Sequence, residues 1–361
     1  MDDQAVKRYA ETRLFGKNVD PKEVKAIQLH NGVLPKTLES MVHAIAGPEF
    51  IKVAQDNGRE PLFFHSNGTL FIPQYSGFGR RKRYEEMIRA YQRVIDRKLE
   101  FYSLDVEGDP RKTNINYSNF AYDFVKGLLL SGDLAKINAI ILGPAEAVVP
   151  HAQRIEKKQE EYLDATLLHL KDQVILNVGY VYADQAGTLL DKMMREFEAI
   201  ARKSEKKRQL QVLMFGRFGG LLKHQKRHDL IYPIGSLEEM DIADGKHLIY
   251  PLHNILASDQ TSPCINLNVA SVMNETVEQL DRARRAGCSS VDMETRDILE
   301  SVYRARRHYS HVLTITFGCV GYISDLPLQV PSGERDTLAK ELDSEQGKME
   351  AGAMIMEYLK S

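Results

Sequence analysis

Residues 287–327 read GCSSVDMETRDILESVYRARRHYSHVLTITFGCVGYISDLP. Two acids, Asp292 and Glu294, flank Met293 at the point where a short apolar run gives way to a helical pattern. A third acid, Asp325, follows a second apolar run and stands directly before a Leu-Pro pair. The stretch therefore predicts a strand, a helix and a second strand, with acids close to the end of each strand.

The predicted helix runs over 295–307, and Thr295 is suited to cap its start. Its apolar residues recur at helical spacing: Ile298, Leu299, Val302 and Tyr303. The strand before it is predicted over 289–294. Because alternate strand residues point to one face, we expect Asp292 and Glu294 to share a side of that strand.

The same alternation of strand and helix extends outward from this stretch. Further strands are predicted at 137–143, 172–181, 208–216, 228–235, 262–272 and 311–322, and further helices at 186–207 and 274–287. This order predicts an α/β fold, a mixed central β-sheet flanked by helices, over residues 136–361. Ligands of such sheets bind beyond the carboxyl ends of the strands, where the acids of 287–327 are expected.

Residues 1–135 have a different pattern. Amphipathic helices are predicted at 35–47, 84–104 and 118–132, and a hairpin at 62–73, where Asn67-Gly68 separates two apolar runs. We expect a mostly helical N-terminal extension with a small hairpin, followed by the catalytic domain.

Composition excludes several classes of partner. The 361 residues carry 48 Lys and Arg against 50 Asp and Glu, a net charge of -2 that gives no support for nucleic-acid binding. The polar N-terminus and the short apolar runs predict a soluble, cytoplasmic protein with no membrane partner. Cys264, Cys288 and Cys319 lack metal-binding spacing, so buried thiols and no metal site are expected.

Four segments together resemble the nucleoside phosphorylase superfamily, which includes purine nucleoside phosphorylase, uridine phosphorylase, methylthioadenosine/S-adenosylhomocysteine nucleosidase and AMP nucleosidase. They are GCSSVDMETRDIL followed by YISDLP (287–299 and 322–327), VLMFGRFGGLLKHQKRHDLIYP (212–233), NAIILGPAEAVVPHAQRI (138–155) and VGYVYADQAGTLLDKM (178–193). They occur in the family's order and cover roughly residue 136 to the end. Short matches are weak singly, so the order carries the resemblance.

The resemblance implies roles for the residues of 287–327. Glu294 would accept hydrogen bonds from ribose hydroxyls, Met293 would pack against the sugar, and Asp325 would protonate the departing base with Ser324 orienting it. An aspartic acid that donates a proton near neutral pH needs a raised pKa, which burial can supply. For Asp292 we favour a cap or a surface group.

A glycine loop is predicted at 215–220, where backbone N–H groups would approach an anion or a sugar. The resemblance assigns the phosphate or water pocket to this loop, with Gly216, Arg217, Gly219 and Gly220, and to Gly143 in the first strand's loop. Arg217 stands where the family carries Ser or Thr. It could hold phosphate, fill the pocket and prevent phosphorolysis, or simply lie in solvent beside a glycine turn.

The loop at 142–148, LGPAEAV, lacks the Asp and Arg of the family's phosphate loop. This favours hydrolysis slightly over phosphorolysis, with phosphate kept as an alternative co-substrate and no other cofactor. Base recognition is expected from 262–276 through Asn266, Asn268 and Asn274. Asparagines at alternate strand positions are equally often hydrogen-bonded structural residues, and that alternative stays open.

The resemblance thus implies an enzyme of nucleoside metabolism, a nucleosidase or phosphorylase in purine or pyrimidine salvage, that cleaves the N-glycosidic bond of a nucleoside or nucleotide. Family members often complete their sites across subunits, so it also implies a homo-oligomer. The alternative is a catalytically degenerate member that binds a nucleoside or nucleotide as a sensor or scaffold. The altered position 217 and the changed 142–148 loop motivate that alternative.

Overall fold

The computed structural model describes residues 3–15, 18–31, 50–53, 62–74, 78–105, 136–160, 163–170, 173–179, 183–204, 207–238, 249–269, 277–329 and 345–361. The chain divides into two compact units, and the described residues up to 105 belong to the first and those from 136 onward to the second. The predicted domain boundary at 135/136 adjoins residues outside this description and stays a prediction.

The described residues of the first unit form two α-helices and a five-stranded sheet. The helices are α1 (Asp3–Leu14) and α2 (Phe78–Val94), and the strands are β1 (Ala26–Asn31), β2 (Phe50–Lys52), β3 (Phe63–His65), β4 (Thr69–Gln74) and β5 (Glu100–Asp105). The sheet order is β2-β3-β4-β1-β5, with β1 parallel to both β4 and β5. The predicted hairpin is confirmed: β3 and β4 pair antiparallel, and Gly68 takes the positive φ of 91° that favours glycine.

The described part of this unit contains more sheet than the sequence predicted. The helix predicted over 84–104 ends at Val94, and β5 begins at Glu100. In this stretch Phe101 and Tyr102 are aromatic residues, which favour strands, although the apolar spacing over 84–104 also fits a helix. The helices predicted at 35–47 and 118–132 lie outside the described residues.

The second unit has the predicted α/β alternation. Its strands are β6 (Ile137–Leu142), β7 (Arg154–Glu160), β8 (Leu163–His169), β9 (Val174–Asn177), β10 (Arg208–Gly220), β11 (Leu230–Glu238), β12 (Tyr250–Pro251), β13 (Ser262–Asn268), β14 (Ser290–Asp292) and β15 (Leu313–Asp325). Its helices are α3 (Ala145–Val148), α4 (Ala183–Ser204), α5 (Val277–Arg285), α6 (Thr295–Tyr309) and α7 (Glu345–Lys360). The start of α6 at Thr295 agrees with the predicted start.

The strands form one mixed sheet in the order β12-β11-β13-β14-β10-β6-β9-β8-β7. Strand β15 lies beside β10 in parallel and also pairs antiparallel with β11 at Leu230 and Ile231. The pairing β11-β13-β14-β10-β15-β11 is therefore a closed circuit of five strands. The mixed sheet with flanking helices confirms the predicted fold class for this unit.

Apolar packing fixes the two sides of the sheet. One core cluster joins Leu213 and Phe215 of β10 to Ala147 of α3 and Ile355 of α7. A second joins Leu267 of β13 and its neighbours to α5. These cores hold the strand ends in a fixed arrangement, which the site below requires.

Within the residues described, no helix is long and apolar enough to cross a membrane. The same residues contain no group of three or more His, Cys, Asp or Glu placed to hold a metal ion.

Candidate active site

Gly219 is the centre of a row that crosses three strands. On one side it is in register with Asp325 of β15, and on the other with Val291 of β14. Neighbouring strands lie about 4.8 Å apart, so the backbones of Val291 and Asp325 are separated by roughly 10 Å. Both strands end near this row, β15 at Asp325 and β14 at Asp292, and they run in opposite directions with β10 between them.

The prediction of a glycine loop at 215–220 is wrong, because β10 continues to Gly220. The glycines provide clearance between strands. A Cβ on Gly219 would lie 2.8 Å from Val291 Cγ1, and a Cβ on Gly220 would lie 2.9 Å from Leu326 Cδ2. Glycine usually marks a turn in a sequence, whereas here it permits close approach of neighbouring chains within a sheet.

One edge of β10 is nevertheless interrupted. Strand β6 pairs with residues 211–214, and β14 pairs with 219–220. Between them, residues 215–218 have no strand partner along that edge in the part of the chain that the structure describes. A Cβ on Gly216 would meet no heavy atom of a described residue within 4 Å. This interruption, where neighbouring strands diverge, is the kind of position at which open α/β sheets bind ligands.

Gly143 borders the interruption at the end of β6. A Cβ there would lie 2.3 Å from Phe215 Cε1, so only glycine fits. Its N–H donates to the carbonyl of Gly179 at 2.9 Å, and its carbonyl accepts from Asn177 Nδ2 at 3.0 Å. Asn177 was not selected from the sequence, since an asparagine that ends an apolar run is an unspecific signal. The wholly buried Asn177 holds the turn at Gly143 in place.

An acid follows Gly143 on α3, in the loop that lacks the family's Asp and Arg. Glu146 pairs with Lys348 of α7 at 3.0 Å, and Lys348 also pairs with Glu345 at 2.6 Å. The lysine charge is thus shared between two carboxylates. This loop supplies no cation of its own.

Ser324 and Asp325 end β15, and both are half-buried. Ser324 Oγ donates to Asp325 Oδ1 at 2.7 Å. The other oxygen, Oδ2, lies on the Gly219 side, 3.5 Å from the position of a Cβ on that residue. One carboxylate oxygen is therefore held by the serine while the other lies across β10.

The prediction that Asp292 and Glu294 share one side of a strand is wrong, because β14 ends at Asp292. Glu294 precedes the first turn of α6 with helical angles, φ -114° and ψ -33°. Asp292 is 6% exposed, and its Oδ2 accepts from the N–H of Thr295 at 3.0 Å. Thr295 is therefore the first residue of α6 and not its cap, and the Asp292 carboxylate satisfies its N–H. The half-buried Met293 packs on the cluster beneath α5.

The predicted base-reading asparagines have different surroundings. Asn266 is wholly buried and donates to Asp292 Oδ1 at 2.6 Å, while its own oxygen accepts from Ser290 at 3.0 Å. This matches the alternative of a structural asparagine. Asn268 Oδ1 lies 3.4 Å from the N–H of Arg296 at the start of α6. Asn274 lies outside the described residues.

Arg217 lies on β10 in register with Tyr322 and is half-buried. Strand alternation places it on the same face as Phe215, the face that packs on α3 and α7. Gly216 faces the opposite side together with Met214, whose Sδ lies 4.0 Å from Thr295 Oγ1. The start of α6, and with it Glu294, therefore lies on the Gly216 side of β10.

The chain matches no protein-family model and no curated protein. It is similar to several solved structures. Futalosine hydrolase of Helicobacter pylori strain 26695 gives a TM-score of 0.46 at 12% identity, covering 62% of this chain and 98% of that chain. The 5'-methylthioadenosine/S-adenosylhomocysteine nucleosidase from Neisseria meningitidis, in complex with methylthio-immucillin-A, gives 0.45 at 13%, covering 62% and 99%.

Purine nucleoside phosphorylase from Toxoplasma gondii, in complex with immucillin-H, gives a TM-score of 0.44 at 14% identity, covering 62% of this chain and 90% of that chain.

Proposed function

We propose that this protein cleaves the N-glycosidic bond of a nucleoside or nucleoside derivative, by hydrolysis. The observation that carries the proposal is the row Val291–Gly219–Asp325, because β15 ends in this row at Asp325 and β14 ends one residue past it, directly before the Met293–Glu294 turn. Cleavage needs two such groups, an acid for the leaving base and an acceptor for the sugar hydroxyls.

Asp325 is assigned the role of general acid. Ser324 Oγ donates to its Oδ1 and thereby orients the carboxyl group. The proton to be donated is assigned to Oδ2. As the C1′–N bond breaks, its electron pair stays with the base, and the proton moves from Oδ2 to a base nitrogen. Water adds to C1′ of the oxocarbenium-like sugar, and the proton that it releases restores the carboxylic acid.

Glu294 is assigned to the ribose hydroxyls and Met293 to the sugar face. Glu294 lies at the start of α6, on the Gly216 side of β10, where the strand edge is interrupted. A carboxylate that accepts from the hydroxyls also places negative charge near the sugar as it becomes cationic. The pocket for the attacking water is assigned to Gly216 and the neighbouring interruption.

Hydrolysis is favoured over phosphorolysis by the loop after β6. Phosphate needs positive charge or free N–H groups. In this loop Gly143 donates its N–H to Gly179, and the acid Glu146 engages Lys348. Arg217 shares the face of Phe215 rather than that of Gly216, which supports water as the acceptor.

The test is incubation of the purified chain with purine and pyrimidine nucleosides and nucleotides, each with and without phosphate, followed by chromatography of the released base. We expect base release without phosphate. Asp325→Asn should slow release about 10²–10⁴-fold while nucleoside binding persists. Ser324→Ala, which removes only the orienting hydroxyl, should slow it less.

Three results would change the assignment. Unchanged turnover in Asp325→Asn would overturn the acid. Release that requires phosphate would replace hydrolysis with phosphorolysis. Binding measured by calorimetry without release from any compound would favour the alternative, a binding protein that acts as sensor or scaffold.

A further inference from the structure

We infer that Asp292 is a positioning residue for Glu294, and that a buried polar network around it sets the preference for ribose over 2′-deoxyribose. The inference rests on the proposed function, in which Glu294 accepts from the sugar hydroxyls. Asp292 itself would not contact the substrate.

The network consists of four residues from three elements. Asp292 Oδ1 accepts from Asn266 Nδ2 at 2.6 Å, and Ser290 Oγ donates to Asn266 Oδ1 at 3.0 Å. Asp292 Oδ2 accepts from both the N–H and the hydroxyl of Thr295. Asn266, Ser290 and Thr295 are each 0% exposed. The Asp292 carboxylate thus joins β13 to the start of α6, because Oδ1 bonds to Asn266 of β13 and Oδ2 bonds to Thr295 of α6.

These contacts fix the chain on both sides of the Met293–Glu294 turn. Before the turn, the carbonyl of Asp292 accepts from the N–H of Val269 at 2.9 Å. After it, Thr295 is held through its N–H and hydroxyl. Only two residues separate the fixed points, so the position of Glu294 follows from the network. A displacement of about 1 Å at such a group can cost about 10²-fold in rate.

The carboxylate is stabilised here by hydrogen bonds. The nearest cation along the chain, Arg296, stacks on Tyr250 at 3.4 Å and bonds Glu300 at 2.8 Å. Burying a carboxylate is costly, so an apolar or neutral residue would be cheaper if only packing mattered. What the carboxylate supplies is two acceptor oxygens for donors on two different elements.

The experiment compares Asp292→Ala with Asp292→Asn, using the best nucleoside of the panel and its 2′-deoxy analogue. Asparagine keeps an acceptor for Thr295, and rotation of the Asn266 amide restores the second contact. We expect Asp292→Ala to lower the ratio of kcat/KM for the ribonucleoside to that for the 2′-deoxy analogue about tenfold or more. Asp292→Asn should keep the ratio within about threefold of wild type.

Ser301→Ala is the matched control. Ser301 is also 0% exposed on α6 and donates to the carbonyl of Gly187 at 3.0 Å. Thermal unfolding should show a loss of stability in this variant too, with the ribose ratio unchanged. If Asp292→Ala fails to fold, Thr295→Val replaces it, because valine removes the hydroxyl contact and keeps the N–H contact.

The inference is overturned if Asp292→Ala, or its replacement, lowers activity with the ratio unchanged, as Ser301→Ala would. If no nucleoside is cleaved, the proposed function fails, and the inference is then tested by binding. Calorimetry gives Kd for the ribonucleoside and for its 2′-deoxy analogue, and the ratio of the two Kd values replaces the ratio of kcat/KM. A loss of ribose preference in binding would then still support the positioning role. A wild-type chain that neither cleaves nor binds any nucleoside overturns both proposals.

Discussion

The Oδ2 atom of Asp325 lies 3.5 Å from the position that a Cβ atom would take on Gly219. The two residues are in register on β15 and β10, just after an irregularity in the pairing between Phe218 and Gly219. Because Gly219 has no side chain, the Asp325 carboxylate has room to lie close to the backbone of β10. The proposed acid and its setting therefore depend on two strands that are about a hundred residues apart in sequence.

Gly219→Ala should disturb both neighbours of this residue. The added methyl would lie 2.8 Å from Val291 Cγ1, closer than real contacts allow, so the Val291 side chain or one of the strands β14 and β10 must shift. We expect a stability loss of about 1–3 kcal/mol from overpacking. Base release should fall by more than tenfold, since a shift at this position moves Asp325 relative to Glu294. Urea denaturation and kcat measure the two effects, and full activity in a stable variant would contradict the assignment.

Gly216→Ala is the comparison on the same strand. A Cβ there meets no described heavy atom within 4 Å, and Gly216 does not have a positive φ. We expect stability to rise by about 0.4–1 kcal/mol, because alanine restricts the unfolded chain. KM for the nucleoside should rise if Gly216 borders the pocket. A more stable variant with unchanged KM would place the substrate elsewhere.

The sequence predicted the helix start at Thr295, the alternation of strands and helices along the chain, and the hairpin at Asn67-Gly68. Each of these has a local signal in the spacing of apolar residues or in the turn residues. It could not predict that the strand continues through Gly219 and Gly220, because only the approach of Val291 and Leu326 explains those two glycines. It also could not show that β14 ends at a buried Asp292, since the bond from Asn266 to that carboxylate is tertiary. Buried amides such as Asn177 leave no pattern at all.

Asn254 is another buried amide with no sequence signal. Its Nδ2 donates to the carbonyls of Cys319 at 2.6 Å and Pro233 at 3.2 Å. Its Oδ1 accepts from the N–H groups of Cys319 and Leu256, each at 3.0 Å. The side chain thus pairs with β15 as the backbone of another strand would.

Asn254→Ala should cost roughly 3 kcal/mol or more, because it leaves several buried backbone groups without partners. Asn254→Asp is the isosteric control. At pH 7 its carboxylate would face two carbonyl oxygens, and at low pH a protonated acid could again donate to one of them. We expect the aspartate variant to recover stability relative to wild type as pH falls, measured by urea denaturation. Equal stability of the alanine variant and wild type would contradict this role.

Asp292 makes the stability of the protein depend on pH in a defined direction. Burial raises the pKa of Asp292 to about 6, from an ordinary 3.8, while the bonds from Thr295 and Asn266 oppose this. Between about pH 4 and pH 6 the folded protein therefore binds the proton more tightly than the unfolded chain does. The contribution to the free energy of unfolding is present below about pH 4 and is lost as pH rises through 6.

Asp292→Asn removes this titration, so the free energy of unfolding of wild type minus that of the variant should fall as pH rises from 4 to 7. The expected change is on the order of 2–3 kcal/mol. The buried thiol of Cys264 does not titrate in this range, because burial raises its pKa to about 12. Urea denaturation of both proteins at pH 4, 5, 6 and 7 measures the difference, and other acids and histidines cancel in it. A difference that does not vary with pH would mean that Asp292 is ionised throughout, held by its hydrogen bonds more strongly than burial opposes.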